Sequence, residues 1–139
     1  MLPVKVREML RSSPMCILGT VSGAEPYLSL MICTFVEDEE VLVMSSRSDS
    51  RKVRNIRDNP RAAILIHEDD GLENPISMTL NGIVHLQEGQ QAEKYRALHL
   101  RTHPQRSQFI EGEQITVLCF VPQRAVLADR QDQVVYWER

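Results

Sequence analysis

The chain has 139 residues, 42% of them hydrophobic, and a formal net charge of -3. That length suits a single domain spanning 1–139, which buries roughly two thirds of its unfolded surface on folding. A fibrous, repetitive or low-complexity chain is excluded.

The charge is unevenly placed. Ser45 to Arg61 (SSRSDSRKVRNIRDNPR) holds six basic residues against Asp49 and Asp58, a local +4 that leaves -7 for the rest. A nucleic-acid binder spreads its basic residues along a face, so this concentration favours a small anionic ligand. Cys16, Cys33 and Cys119 are odd in number, widely spaced and set in apolar runs. They read as reduced thiols of a cytoplasmic protein, without a disulfide frame or zinc spacing. Residues 1–13 include Glu8 and lack the apolar core of a secretion signal, and no later run approaches the length of a membrane span.

In chain order, Pro3 suits a first helical position, and Val6, Met9 and Leu10 recur at helical spacing before Ser12-Ser13-Pro14 ends the segment. Met15 to Val21 and Pro26 to Val36 are apolar runs joined by a turn, hence a hairpin. The second run is apolar on both faces: Tyr27, Ser29, Met31, Cys33 and Phe35 on one, Leu28, Leu30, Ile32, Thr34 and Val36 on the other. Such a strand expects the core on one side and a partner subunit or flat ligand on the other. Glu37 to Glu40 makes a turn, and Val41 to Ser45 leads as a strand into the basic segment.

That segment breaks an electrostatic rule. Asp49 or Ser50 is a natural N-cap, Val53 and Ile56 form an i, i+3 stripe, and Asn59-Pro60 stops the helix. The first turn of a helix favours carboxylates, yet here it holds Arg51 and Lys52. Cations, free N–H groups and serine hydroxyls converging at one point call for an anion such as phosphate, against the plainer reading of a solvated basic helix.

Arg61 to His67 is a strand, Glu68 to Pro75 a polar loop, and Ile76 to Leu86 a strand with Gly82 at a bend or bulge. Glu88 to His103 is a helix, with Ala92, Tyr95 and Leu98 on one side and Pro104 as its stop. Ile115 to Val121, Arg124 to Asp129 and Gln133 to Trp137 are expected as three separate strands, the first two divided by Pro122. Six to eight short consecutive strands with few helices predict a mainly β fold, an antiparallel, Greek-key-like barrel.

Two stretches carry a family resemblance: LGTVSGAEPYLSLMICTF, then VLVMSSRSDSRKVRNIRDNPRAAILI, with S-x-x-x-S-R-K at Ser46 to Lys52 and N-P-R at Asn59 to Arg61. They resemble the FMN-binding split barrel of the pyridoxamine 5'-phosphate oxidase-like superfamily. The resemblance implies a homodimer with two FMN sites at the subunit interface. Ser46, Ser50, Arg51 and Lys52 would hold the phosphate, with Ser45 beside it. Backbone groups of Met31, Ile32 and Cys33, with Thr34 close by, would face the isoalloxazine ring, and Ser77 and Trp137 would be the partner subunit's contributions.

The departures from the oxidase pattern are informative. Ser29 and Thr34 stand where the true oxidase usually has basic residues, and no basic tail follows Trp137. Oxidation of pyridoxamine 5'-phosphate is therefore not expected. The expectation is an FMN-dependent oxidoreductase on an unassigned small substrate, with a flavin carrier or sensor as the alternative and a haem or deazaflavin protein behind both.

His99 and His103 are spaced i, i+4 on the late helix, as metal ligands often are. No third ligand accompanies them, so they read as polar surface histidines near a helix C-terminus. LHLRTHP around them also resembles the haem-degrading branch of the superfamily. His67 and His85 read as structural, and Trp137 as either stacking on a flavin or packing on the barrel. No nucleophile elbow is present, no metal is expected, and no side chain stands out as a general acid or base.

Overall fold

A computed structural model of the chain describes residues 1–68 and 75–139; most of the loop expected at Glu68 to Pro75 lies outside the described residues. Eight strands form one antiparallel sheet, curled into a half-barrel and accompanied by four helices. The strands are β1 (Met15–Ser22), β2 (Glu25–Ile32), β3 (Thr34–Val36), β4 (Val41–Arg47), β5 (Arg61–Glu68), β6 (Ile76–Gln87), β7 (Ile115–Ala128) and β8 (Val134–Glu138). The helices are α1 (Val4–Ser12), α2 (Arg51–Asp58), α3 (Gly89–Thr102) and α4 (Ser107–Ile110), with a 3-10 turn at Pro104–Arg106 before the last. The sheet order is β2-β1-β5-β6-β7-β4-β3, with β8 pairing to β7. Among the described residues no helix is long and apolar enough to cross a membrane.

The inner face follows the strand alternation. Leu18, Leu42, Met44, Ile64, Ile66, Met78, Leu80, Leu118 and Phe120 make one core, which Val6, Met9 and Leu10 of α1 join as the helical spacing requires. A smaller cluster lies under α3, where Ala92 and Tyr95 cover Val41, Val43, Val117 and Cys119. Tyr95 Oη donates to Glu39 Oε1 at 2.7 Å, and Lys94 Nζ to Glu39 Oε2 at 3.0 Å, fastening α3 to the β3–β4 turn.

Two expected elements differ. The single strand over Pro26 to Val36 is two strands, because the chain changes partner at Cys33: β2 pairs with β1, whereas β3 pairs with β4. At the break Cys33 N donates to Pro14 O at 2.9 Å, a bond outside the ladder. Met31 and Cys33 enter the core, but Leu28 and Leu30 are 70% and 71% exposed. Conversely, the two strands expected on either side of Pro122 are one, β7. Pro122 is tolerated because β4 pairs with β7 only as far as Phe120 and β8 only from Arg124, so the missing N–H falls between neighbours.

Opposite Pro122 sits Gly82, at the expected irregularity of β6. A Cβ there would lie 2.3 Å from Val121 O and 2.8 Å from Phe120 Cζ. Neither the backbone oxygen nor a fully buried ring can yield cheaply. Gly82→Ala is expected to lower stability by about 3 kcal/mol, read as a fall in the urea midpoint with the slope unchanged.

Candidate functional site

The basic segment folds as a strand end, a turn and a helix start. Ser50 caps α2, its Oγ accepting from Val53 N at 3.5 Å, and Val53 and Ile56 are buried as their spacing predicts. Asn55 is buried too, donating its amide to Thr20 Oγ1 of β1 at 3.1 Å. The connection from β4 is fixed on β7: Ser48 N donates to Gln114 O at 2.7 Å and Ser48 Oγ bonds Thr116 Oγ1 at 2.7 Å. The start of α2 is thereby held beside the last residues of β4.

There Ser46 Oγ and Ser50 Oγ lie 2.9 Å apart, and Lys52 Nζ donates to Ser46 Oγ at 3.2 Å. Lys52 is half-buried, and burial lowers its pKa from the ordinary lysine value. Among the described residues it makes no ion pair. From this cluster a cleft of about 640 Å³ runs past Met31, Ile32, Leu30 and Met15 on one side. Arg106, Phe109 and Ile110, from the 3-10 turn and α4, lie on the other, and Arg47 and His99 also line it.

Of the residues expected at a cofactor, the structure gathers Met31, Ile32, Ser45, Ser46, Ser50 and Lys52 around this cleft. The others are elsewhere. Arg51 turns outward, 3.2 Å from Glu25 Oε1 and with its guanidinium 4.9 Å from the Tyr27 ring centroid. Cys33 turns its side chain into the core while its carbonyl accepts from His103, and Thr34 is buried against His99. Ser77 sits in β6 between His67 and Ala128, and Trp137 of β8 pairs with Ala125 of β7 and packs on the core, so neither lines the cleft within one chain. Ser45 Oγ donates to Phe109 O at 2.9 Å, which commits its proton to α4.

His99 is the residue that sequence reasoning misplaced. Expected at the surface, it is 1% exposed, with Nδ1 2.7 Å from Thr34 Oγ1. The signal was there: Ala92, Tyr95 and His99 share the buried side of α3, and His99 occupies the next core position along that stripe. His103, half-buried, donates Nε2 to Cys33 O at 3.0 Å and stands edge-on to His99, ring centroids 5.3 Å apart.

Burial, with the His103 charge adding to it, pulls His99 down from 6.5 to about 4. Between those values the unfolded chain binds a proton that the folded chain refuses. Stability that His99 contributes in full above pH 6.5 is thus lost as pH falls toward about 4. Urea titrations at neutral pH and near pH 4.5 are expected to show wild type losing on the order of 2 kcal/mol more than His99→Asn.

An antiparallel sheet curled into a half-barrel, with a cationic, hydroxyl-rich strand-to-helix junction beside a cleft, is the architecture of the split-barrel class. A sequence-family model described as pyridoxamine 5'-phosphate oxidase matches residues 2–128, and the chain belongs to that family. A Schizosaccharomyces pombe protein named as a pyridoxamine 5'-phosphate oxidase homologue is 25% identical over 170 residues, covering 97% of this chain and 90% of the yeast protein. Three solved structures share the fold. A haem-binding protein from Mycobacterium smegmatis has a TM-score of 0.84 at 19% identity; the match covers 99% of this chain, which spans only 59% of that one. A FAD-binding protein from Mesorhizobium loti has a TM-score of 0.76 at 13% identity, covering 90% of each. General Stress Protein 26 from Bacillus anthracis has a TM-score of 0.72 at 14% identity, covering 96% of each.

Proposed function

We propose that the cleft binds FMN, its phosphate at Ser46, Ser50 and Lys52 and its ring along Met31 and Ile32, and that the protein is a flavin-dependent oxidoreductase. The observation that carries this reading is Lys52. A half-buried ammonium with two hydroxyls beside it and no carboxylate partner among the described residues matches a phosphate in charge and in hydrogen-bonding need. The free N–H groups of the first turn of α2 add to the same field. Bound there, FMN supplies hydride and electron chemistry, while the chain positions the ring and excludes water. A carrier or sensor would use the same binding residues without turnover.

The homodimer is part of the proposal. Direct cross-strand neighbours on the outer face form one row, Leu30, Ile17, Leu65, Thr79, Val126 and Tyr136, crossing β2, β1, β5, β6, β7 and β8. Leu30, Leu65, Val126 and Tyr136 all count among the exposed large hydrophobics. A mainly apolar row that wide suits a second copy of the sheet. A second copy is also the route by which Ser77 and Trp137 could take part in the site.

The visible spectrum of the purified protein, with added FMN if it is colourless, tests the cofactor. Flavin bands at one FMN per chain are expected. A Soret band in their place would give the cleft to haem, and failure to take up FMN would reject the reading. Lys52→Ala is expected to weaken FMN binding by roughly 10- to 100-fold, about 1.5–3 kcal/mol for one charge-assisted contact. Arg51→Ala should change it less than about threefold, since Arg51 is turned to Glu25 and Tyr27. Val126→Lys, at the middle of the row, is expected to shift the sedimenting species from dimer to monomer while the circular dichroism stays native; an unchanged dimer would move the interface elsewhere.

A further inference from the structure

His99 is more than a packed histidine of α3. With Nδ1 at 2.7 Å from Thr34 Oγ1, one of its two nitrogens is taken. Among the described residues Nε2 has no hydrogen-bond partner. Nor is it sealed: among the described residues the buried side-chain polar atom without a partner is Arg96 Nε. His99 is among the residues that line the cleft. A buried polar atom left without a partner is costly, so the arrangement calls for a ligand atom or water at that place.

The distance along the cleft says which part of a ligand this would be. Thr34 pairs with Val43, three residues before Ser46 on β4, so His99 stands roughly 10 Å along the strand from the hydroxyl and ammonium cluster. A ligand reaching both ends is elongated, with an anionic group at one and a hydrogen-bonding group at the other. Ile32, two residues before Thr34, and Phe109 and Ile110 of α4 line the same cleft, and such side chains suit a flat ring with polar edges. His103 holds the imidazole edge-on, and Thr34 fixes its rotation.

We infer that His99 is a ligand-contacting residue of the cleft, whose Nε2 hydrogen-bonds a polar edge of the bound cofactor's ring. This rests on the flavin reading above and adds a residue that the family resemblance did not supply. With its pKa pulled down to about 4, the imidazole is uncharged at neutral pH and serves as a directional hydrogen-bonding group.

Two substitutions separate the two nitrogens. The amide of Asn reaches about as far as Nδ1 and that of Gln about as far as Nε2. His99→Asn is expected to keep the Thr34 contact and a near-native Tm, yet bind FMN about five- to tenfold more weakly. His99→Gln is expected to lose the Thr34 contact and some Tm but keep most of the affinity. The inference is overturned if His99→Asn binds FMN as wild type does, or if affinity follows Tm in both variants. Wild type failing to bind FMN would instead reject the parent reading, and a Soret band lost in His99→Asn would assign Nε2 to iron.

Discussion

The cleft is organised around an ammonium, Lys52, that has no counter-charge among the described residues. Lys52 is held half-buried because Val53 and Ile56 anchor α2 on the core, because Asn55 is bonded to Thr20, and because Ser48 is fastened to the start of β7. With α2 fixed on that side, Lys52 cannot swing fully into water without giving up its contact to Ser46. Elsewhere the protein pairs its charges readily: Arg7 and Arg11 with Glu37 and Glu40, Arg47 with Asp49, Lys94 with Glu39. A half-buried cation with no ion-pair partner among the described residues is a position where an incoming anion would stabilise the fold as well as itself.

The cleft itself comes from the partner change at Cys33. Had Pro26 to Val36 run straight on beside β1, Thr34 would not pair with Val43 and β4 would have no reason to approach the end of β2. The break swings β3 onto β4 and leaves the space that α4 and the 3-10 turn then border. The same stretch of chain thereby supplies the cleft wall at Met31 and Ile32 of β2 and, across the break, orients His99 through Thr34 of β3.

Much of this was legible wherever the signal was local. The Ser50 cap, the Val53 and Ile56 stripe and the Gly82 irregularity depend on residues within a turn of one another, and each is found as read. What the sequence concealed depends on distant partners. Arg51 and Lys52 look alike in a motif, but Glu25 and Tyr27 draw Arg51 away, and neither is visible from the helix. Pro122 reads as a strand end unless one knows that β4 stops and β8 begins on either side of it. His99 looks like a polar residue near a helix end, and its place on the Ala92 and Tyr95 stripe gains its meaning from the cluster that this stripe covers.

Leu30 links the two halves of the structure. It belongs to the cleft wall and also to the outer apolar row, and it is among the most exposed hydrophobic residues described. In a lone chain that exposure is a cost, since an apolar side chain of its size gains on the order of 2 kcal/mol from leaving water. A second copy seated on the row would cover Leu30 from outside and narrow the cleft in the same movement. A ligand filling the cleft would in turn cover Leu30 from within and stiffen the edge on which the second copy sits. Under the proposed reading, the free energy gained from one event would depend on the other, which would couple association and cofactor binding through one strand, with Leu30 as their shared surface.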